Sequence, residues 1–327
     1  MTTQSILAVE GLRVEFLTRR GPLVAVDDVS LQVQAGEVLG VVGESGAGKS
    51  VMGAAIIGLL EPPGRITGGC VRLEGRRIDD LPNGEMRKIR GKSIGAVFQD
   101  PLTSLNPLYT VGRQLVETIR THTDMTAGQA RGRAVQLLGQ VGIPEPMARF
   151  NAYPHEFSGG MRQRVVIAIA LCVKPRLVIA DEPTTALDVS IQAQITALLK
   201  RLCREQGSAV LLITHDMGVI AETADRVAVM YAGRVVEVGS VFEVAKNPRH
   251  PYTQGLMASI PRVGRKVQRL IQIPGAMPRI GNVPEGCAFH PRCPQVLERC
   301  RKDRPVVTRS GGIETTCWLY ADSEPHG

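Results

Sequence analysis

The sequence feature that most constrains the fold is a glycine-rich loop between an apolar run and a helical pattern. The loop, Gly43-Glu-Ser-Gly-Ala-Gly-Lys-Ser50, matches the pattern G-x-x-x-x-G-K-[ST] in full. The run from Glu37 to Val42 before it is typical of a strand buried on both faces of a mostly parallel sheet. Residues Val51 to Leu60 after it predict a helix. In this context the loop predicts a phosphate-binding site, and an accidental glycine-rich turn is the weaker alternative.

The chemistry of such a loop favours a nucleoside triphosphate with magnesium. Glycines let successive backbone N–H groups point inward and hold phosphate oxygens, and the following helix adds the positive end of its dipole. We expect the Lys49 ammonium to meet the β- and γ-phosphates and the Ser50 hydroxyl to bind Mg²⁺. The predicted ATP-binding residues of the loop are Gly43, Glu44, Ser45, Gly46, Ala47, Gly48, Lys49 and Ser50.

A pair of acids follows a second buried strand, which the run from Leu177 to Ala180 predicts. Asp181 is expected to act beside Mg²⁺ through its water shell. Glu182 is expected to orient and deprotonate the attacking water. Adjacent acids at a strand end are common, so they indicate triphosphate hydrolysis only in combination with the loop.

The order of patterns predicts an α/β fold, because strands alternate with helices along most of the chain. Helical patterns punctuated by prolines predict a helical insertion at about residues 100–160. Beyond Asn247 the periodicity is lost, which predicts a domain boundary near residue 245 and a second segment at 246–327 with little regular structure.

Further motifs resemble the ATPases of ATP-binding-cassette (ABC) transporters. Phe157-Ser-Gly-Gly-Met-Arg-Gln163 is similar to the signature loop of that family, with Phe and Met in the first and fifth places instead of Leu and Gln. Gln99 resembles the Q-loop glutamine, Ala186-Leu187-Asp188 the D-loop, and His215 the switch histidine. Phe16 resembles the aromatic residue that stacks on adenine, although a strand aromatic is more often part of a core.

The resemblance covers roughly residues 6–245 and implies a fold and a mechanism. The implied fold is a P-loop NTPase (RecA-like) core with an antiparallel β subdomain and the helical insertion. Ser50, Gln99 and Asp181 would hold Mg²⁺. Two cassettes would close head-to-tail around two ATP molecules. The signature residues Ser158, Gly159, Gly160 and Met161 would then contact the ATP of a partner subunit, which is a copy of this chain or a paralogue.

Two other segments resemble the ATPase subunits of dipeptide, oligopeptide and nickel importers. They are Asp100-Pro-Leu-Thr-Ser-Leu-Asn-Pro107 and the run Asn247-Pro-Arg-His-Pro-Tyr-Thr253. This family implies a paralogous second ATPase, two membrane permease subunits and an external substrate-binding protein. Dipeptides or longer peptides are the expected cargo, with nickel or haem as alternatives. A soluble cassette ATPase acting on nucleic acid or ribosomes, and a regulatory cassette without turnover, are the rival classes.

The last part of the chain carries four cysteines, Cys287, Cys293, Cys300 and Cys317. Four thiols in a proline-rich segment with little core suit a metal staple, and their spacing is not the C-x₂-C pair typical of zinc. In the resembling family some subunits with this tail bind a [4Fe–4S] cluster, and thiolate ligation is compatible with that. An iron–sulfur cluster, zinc and unligated thiols remain the three alternatives.

The net charge of +8 is concentrated in the same segment, because residues 246–327 hold 13 Lys and Arg against 6 Asp and Glu. A basic face could meet nucleic acid, anionic lipid headgroups or an acidic partner, or could simply be solvated.

The longest clean apolar run, Val165 to Val173, is too short to span a bilayer, and no secretory signal is visible. We therefore expect a cytosolic chain that needs a partner subunit for any membrane role. The resemblance to importer ATPases implies a peripheral protein at the cytoplasmic face of the inner membrane.

Overall fold

The protein is described by a computed structural model that covers residues 5–185, 188–260 and 272–321. The chain divides into two compact units. The helical unit contains Val33–Val38 and Leu73–Leu212, together with the residues up to Leu7. The loop unit contains Ala8–Gln32, Leu39–Arg72 and the chain from Ile213 onward.

The strands of the described residues are β1 Ser5–Thr18, β2 Gly21–Gln34, β3 Val38–Val42, β4 Gly64–Leu73, β5 Arg76–Arg77, β6 Ile94–Val97, β7 Leu177–Asp181, β8 Ala209–Thr214, β9 Arg226–Tyr231, β10 Arg234–Ser240, β11 Val307–Ser310 and β12 Ile313–Thr316. The α-helices are α1 Lys49–Ile56, α2 Asn83–Ile89, α3 Pro101–Ser104, α4 Val111–His122, α5 Ala127–Gln140, α6 Pro146–Arg149, α7 Gly159–Leu171, α8 Val189–Gln206, α9 Met217–Thr223, α10 Val241–Lys246 and α11 Pro251–Ser259.

The loop unit is built on a mixed sheet in which β3 is parallel to β9. Strands β9 and β10 form an antiparallel hairpin, and β12 and then β11 extend the sheet on the far side of β10. Strand β3 is buried along its whole length, as expected for a central parallel strand. Strands β2, β1 and β4 lie side by side in a second sheet.

In the helical unit, β6 pairs in parallel with β7, so that Val97 lies beside Ala180. Helices α4 and α5 pack against each other and against α7. Thr110 and Thr126 cap α4 and α5 with their hydroxyls, which accept hydrogen bonds from the third residue of each helix. Helices α3 to α6 occupy the stretch in which the sequence predicts a helical insertion.

Beyond Asn247, where the sequence predicts little regular structure, the chain still forms a helix and a short hairpin. The segment contains α11 and the β11–β12 hairpin, and β12 pairs Thr315 with Glu237 of β10. Strands β11 and β12 are four residues each, and their polar sequences lack the alternation that marks a longer strand. The boundary near residue 245 stays a prediction, although the pairing joins the two sides of it in one sheet.

Within the described residues, no helix combines the length and the apolar character needed to cross a lipid bilayer. The longest, α8, has 18 residues but carries lysine, arginine and glutamate side chains.

Candidate nucleotide site

The glycine-rich loop connects β3 to α1 in the loop unit, as the sequence predicts. Lys49 is buried, with 4% of its surface exposed. Its ammonium donates to the carbonyl oxygens of Gly43, at 2.8 Å, and of Glu44, at 3.1 Å. These two hydrogen bonds fix the Lys49 ammonium beside its own loop, where the G-x-x-x-x-G-K-[ST] pattern predicts phosphate.

Two of the loop glycines are required by close backbone approach. Gly48 has a φ of +94°, and a Cβ added there would lie 2.6 Å from the carbonyl oxygen of Ala25. A Cβ on Gly43 would lie 2.2 Å from the carbonyl oxygen of Met230. Any larger residue at either position would displace the loop from its neighbouring strands. Ser45 and Ser50 remain exposed.

In the helical unit, the structure brings two of the predicted catalytic residues together. The Gln99 side-chain amide donates to Glu182 Oε2 at 3.2 Å. This follows from the parallel pairing of β6 and β7, because parallel strands present their carboxyl ends at the same edge of a sheet. Asp181 is the last residue of β7 and is half-buried.

Glu182 also has an unusual backbone, with a φ of +46°. Non-glycine residues in this region cost about 1–3 kcal/mol and are concentrated at functional sites. The Thr185 hydroxyl, which the sequence reasoning missed, donates to Glu182 Oε2 at 2.7 Å. Its only sequence signal is its place three residues after the glutamate. The carboxylate of Glu182 is therefore held by an amide and a hydroxyl.

The predicted signature loop begins α7. Ser158 is the N-cap of the helix, and its hydroxyl accepts a hydrogen bond from the Met161 N–H at 3.3 Å. Ser158 and Gly159 are exposed, and Gly160 and Met161 are partly exposed. Phe157, the unusual first residue of the motif, is only 3% exposed. Phe157 is therefore a core residue, and the serine and glycines remain accessible to a partner.

Three other predicted residues lie at element boundaries. His215 is exposed directly after β8. Asp188 is exposed at the N-terminus of α8, and the other D-loop residues, Ala186 and Leu187, lie outside the described residues. Phe16, in β1, is half-buried, and its ring lies so near Gly64 that a Cβ there would be 2.8 Å from Phe16 Cε1. Gly64 therefore lies directly beside the Phe16 ring.

Two residues of the C-terminal segment contact the phosphate-binding loop, and neither contact could be predicted from a sequence motif. The Glu44 N–H donates to the Tyr252 hydroxyl at 2.8 Å. The Arg292 guanidinium donates to the Glu44 carboxylate at 3.2 Å. Both contacts lie within the loop unit.

The four tail cysteines are free thiols in the described structure. Burial raises the pKa of the Cys317 thiol to about 11, and the nearby thiols of Cys287, Cys293 and Cys300 add to this rise. The Cys287 N–H donates to the Cys300 carbonyl at 2.8 Å. Among residues 5–185, 188–260 and 272–321, however, no three His, Cys, Asp or Glu side chains are grouped so that they could hold a metal ion.

Comparison with known proteins decides the family. The ABC transporter family model matches residues 26–185, and the model of the oligopeptide/dipeptide transporter C-terminal region matches residues 236–300. The chain belongs to the ABC transporter ATPase family. It is 46% identical to the dipeptide transport ATP-binding protein DppD of Escherichia coli, over 97% of this chain and 98% of the relative. It is 44% identical to the oligopeptide transport ATP-binding protein AppD of Bacillus subtilis, with the same coverage.

Solved cassettes confirm the ABC ATPase fold, with its P-loop and its mixed sheet and helices. The ATP-binding cassette MJ0796, a dimer in a post-hydrolysis state bound to ADP and Pi, superposes with a TM-score of 0.65 and 31% identity. The match covers 72% of this ABC chain and 98% of that one. CbiO1 of Clostridium perfringens, part of the ABC transporter complex cbiONQ, gives a TM-score of 0.64 at 29% identity, over 75% and 92%.

Proposed function

We propose that this chain is the ATP-hydrolysing subunit of a bacterial ABC importer for dipeptides or oligopeptides. The observation that carries the proposal is the similarity to DppD and AppD, which extends through the C-terminal segment as well as the cassette. The nickel, haem and nucleic-acid alternatives have no comparable support among these findings.

The proposed roles of the site residues follow the family mechanism. Lys49 and the loop amides bind the triphosphate, and Ser50, Gln99 and Asp181 hold Mg²⁺. Glu182 polarises the attacking water. The hydrogen bonds from Gln99 and Thr185 to Glu182 support this role, because they fix the orientation of the carboxylate. Phe16 stacks on adenine, and His215 contacts the γ-phosphate.

The proposed assembly contains a second, paralogous ATPase, two permease subunits and an external binding protein, at the cytoplasmic face of the inner membrane. Ser158, Gly159, Gly160 and Met161 contact the partner's ATP, and Asp188 lies at the same dimer interface. The exposure of Ser158 and Gly159 supports this arrangement, because the first turn of α7 is then free to meet a ligand on another subunit.

The ATPase proposal is tested by magnesium-dependent ATP binding and phosphate release. Lys49→Ala should abolish both, because the loop then loses the charge that meets the phosphates. The transport proposal is tested by uptake of labelled dipeptides in a strain that lacks the gene. Normal dipeptide uptake together with lost nickel or haem uptake would contradict the peptide assignment, and RNA rather than permease subunits in a detergent pull-down would favour the nucleic-acid class.

We further propose that Cys287, Cys293, Cys300 and Cys317 hold a [4Fe–4S] cluster, which would cross-link the tail. Four sulfur donors suit iron–sulfur or zinc ligation. Burial raises the pKa of Cys287, Cys293 and Cys317, so these thiols would release protons when they bind metal. An anaerobic preparation should be brown with about four irons per chain. A colourless, iron-free anaerobic preparation would contradict the proposal, and bound zinc would favour the alternative ligation.

A further inference from the structure

The C-terminal segment contacts the phosphate-binding loop at its second residue, Glu44, from two directions. The Tyr252 hydroxyl accepts a hydrogen bond from the Glu44 N–H at 2.8 Å. Arg292 Nη1 donates to Glu44 Oε2 at 3.2 Å. Inside the loop, the Glu44 carbonyl accepts from the Lys49 ammonium at 3.1 Å. The N–H, the side chain and the carbonyl oxygen of Glu44 therefore each take part in a hydrogen bond. Of the three partner residues, only Lys49 belongs to the loop itself.

Arg292 is held in place by burial and by several hydrogen bonds. Its side chain is only 7% exposed. Besides Glu44, it donates to the Tyr231 hydroxyl at 3.4 Å and to the carbonyl oxygens of Ile273, Pro274 and Gly275 at 3.4, 2.8 and 3.4 Å. These contacts use the fork of five N–H donors that arginine has and lysine lacks. Arg292 thus joins the loop to the segment at 273–275.

The residues around Arg292 form a packed aromatic cluster. Tyr231, Tyr252 and Phe289 are each no more than 2% exposed. The Tyr231 ring lies edge-on to Tyr252 at 4.7 Å and to Phe289 at 5.2 Å between centroids. Edge-to-face packing of this kind fixes ring orientation. The Tyr252 hydroxyl therefore has little freedom to leave Glu44.

Met277 also approaches the loop. Met277 follows the segment held by Arg292, and its Cγ lies 4.0 Å from where a Cβ on Gly46 would stand. The segment at 273–277 therefore lies against the loop that Arg292 anchors. Glycine at position 46 leaves this part of the loop dependent on its surroundings, because glycine restricts the backbone least.

We infer that Arg292 is a positioning residue for the nucleotide site: through Glu44 it sets the backbone that holds Lys49, with Tyr252 as the second anchor. This inference rests on the proposed ATPase function and extends it to residues outside the cassette motifs. Arg292 is expected to act through ground-state ATP binding, because its contacts lie on the loop and not at the carboxylates proposed to activate water.

The test compares Arg292→Gln with Arg309→Gln in the full-length chain assembled with its companion subunits. Arg309 makes an exposed ion pair with Glu314 in the same segment, away from the loop. Loss of one charge-assisted bond should raise the KM for ATP about tenfold for Arg292→Gln, with kcat within about twofold. Arg309→Gln should leave both parameters unchanged, and Arg292→Lys should recover part of the loss, because it keeps the charge without the fork.

A double-mutant cycle separates positioning from general destabilisation. Glu44→Gln removes the same ion pair from the loop side. Combined with Arg292→Gln, it should raise KM no further than the worse single variant. Additive effects, or an unchanged KM in a variant that melts like the wild type, would overturn the inference. If Arg292→Gln does not fold, Glu44→Gln alone must still raise KM, and an unchanged KM would also overturn it.

The Lys49→Ala variant keeps this result distinct from the proposed function. If Lys49→Ala retains magnesium-dependent ATP affinity, the ATPase proposal itself fails. If Lys49→Ala loses that affinity while Arg292→Gln retains the wild-type KM, the ATPase proposal stands and only the positioning role is refuted.

Discussion

At the residue scale, Glu182 combines an unfavourable backbone conformation with a side chain that accepts two hydrogen bonds. Its φ of +46° is tolerated because the surrounding structure fixes it, and Gln99 and Thr185 both donate to one carboxylate oxygen. This arrangement is what a residue that polarises water requires, since a base must keep its direction while the substrate binds.

Glu182→Gln should keep ATP binding and lose hydrolysis. The amide has nearly the same shape but cannot accept the proton of the attacking water, and a general base contributes about 10²–10⁴-fold in rate. Phosphate release and ATP affinity, measured on the same preparation, check this expectation. Glu205→Gln, at an exposed position on α8, is the matched control. Turnover within a few-fold of the wild type would show that Glu182 is not the catalytic acid–base residue.

The sequence predicted the site residues that belong to motifs, because each motif is short and local. Lys49, Gln99 and Glu182 could be named from the strands and loops around them. Thr185, Tyr252 and Arg292 could not, since their importance comes from contacts that the folded chain creates. The contact of Arg292 with Glu44 links residues far apart in the chain, and neither residue type marks it.

At the element scale, Asp27 of β2 ties four parts of the loop unit together. Its carboxylate accepts from Arg13 of β1 and from Arg234 of β10, and Arg304 of the tail lies 3.4 Å away. Burial acts to raise the pKa of Asp27, but the hydrogen bond and charge of Arg234, with the charges of Arg13 and Arg304, outweigh it and hold the pKa below its ordinary value. Charge pairing thus links β1 and β2 of the second sheet to β10 and to the tail.

Asp27→Asn should destabilise the protein in a pH-dependent way. A depressed pKa in the folded state contributes stability that is fully present above the ordinary pKa of 3.8 and is lost as the pH falls through the folded value. At about pH 7 the variant should lose about 1–3 kcal/mol in urea unfolding, and at about pH 3 the difference should shrink.

The exposed ion pair of Asp80 with Arg77 supplies the control. Asp80→Asn should change the free energy of unfolding by less than about 1 kcal/mol at either pH, because solvent screens an exposed pair. A difference between wild type and Asp27→Asn that stays constant with pH would mean that the charge of Asp27 is not what joins these strands.

Most elements of the cassette were predictable from hydrophobic pattern, since β3, β7 and β8 are short apolar runs before glycine, acidic or histidine residues. Elements β4, β5 and α2 were not predicted. The tail elements escaped prediction for a clearer reason. Glu237 in β10 is fully buried and accepts hydrogen bonds from the Arg249 and His250 N–H groups. These contacts leave no mark in a local reading of the sequence, because the groups that Glu237 binds lie beyond the end of the β9–β10 hairpin.

At the scale of the whole molecule, the C-terminal segment is part of the sheet of the loop unit. Ending the chain at Lys246 would remove β12 from β10 and leave Glu237 without its two N–H partners. We expect such a chain to give less monodisperse protein in size-exclusion chromatography and a lower melting temperature, because an unpaired edge and a buried unpaired carboxylate are both unfavourable. A truncated chain that melts like the full-length protein would instead favour the boundary near residue 245.

The proposed assembly makes a second prediction at this scale. With ATP and Mg²⁺, Glu182→Gln should form a stable dimer with the paralogous ATPase, since in the proposed assembly ATP bridges the two subunits and this variant should not hydrolyse it. Light scattering gives the molar mass of the variant alone and of its mixture with the paralogue. It therefore distinguishes a dimer of two copies of this chain from a dimer with the paralogue. A dimer that forms equally well without the paralogue would show that this chain pairs with itself.

The position of β12 in the sheet has a consequence during protein synthesis. Strand β10 leaves the ribosome long before β12 is translated. In every nascent chain, one edge of β10 is therefore unpaired until β12 has been synthesised. A product of premature termination would keep that edge uncovered and would be open to aggregation or to recognition by chaperones and proteases. The sheet is therefore complete only after the β11–β12 hairpin has been synthesised.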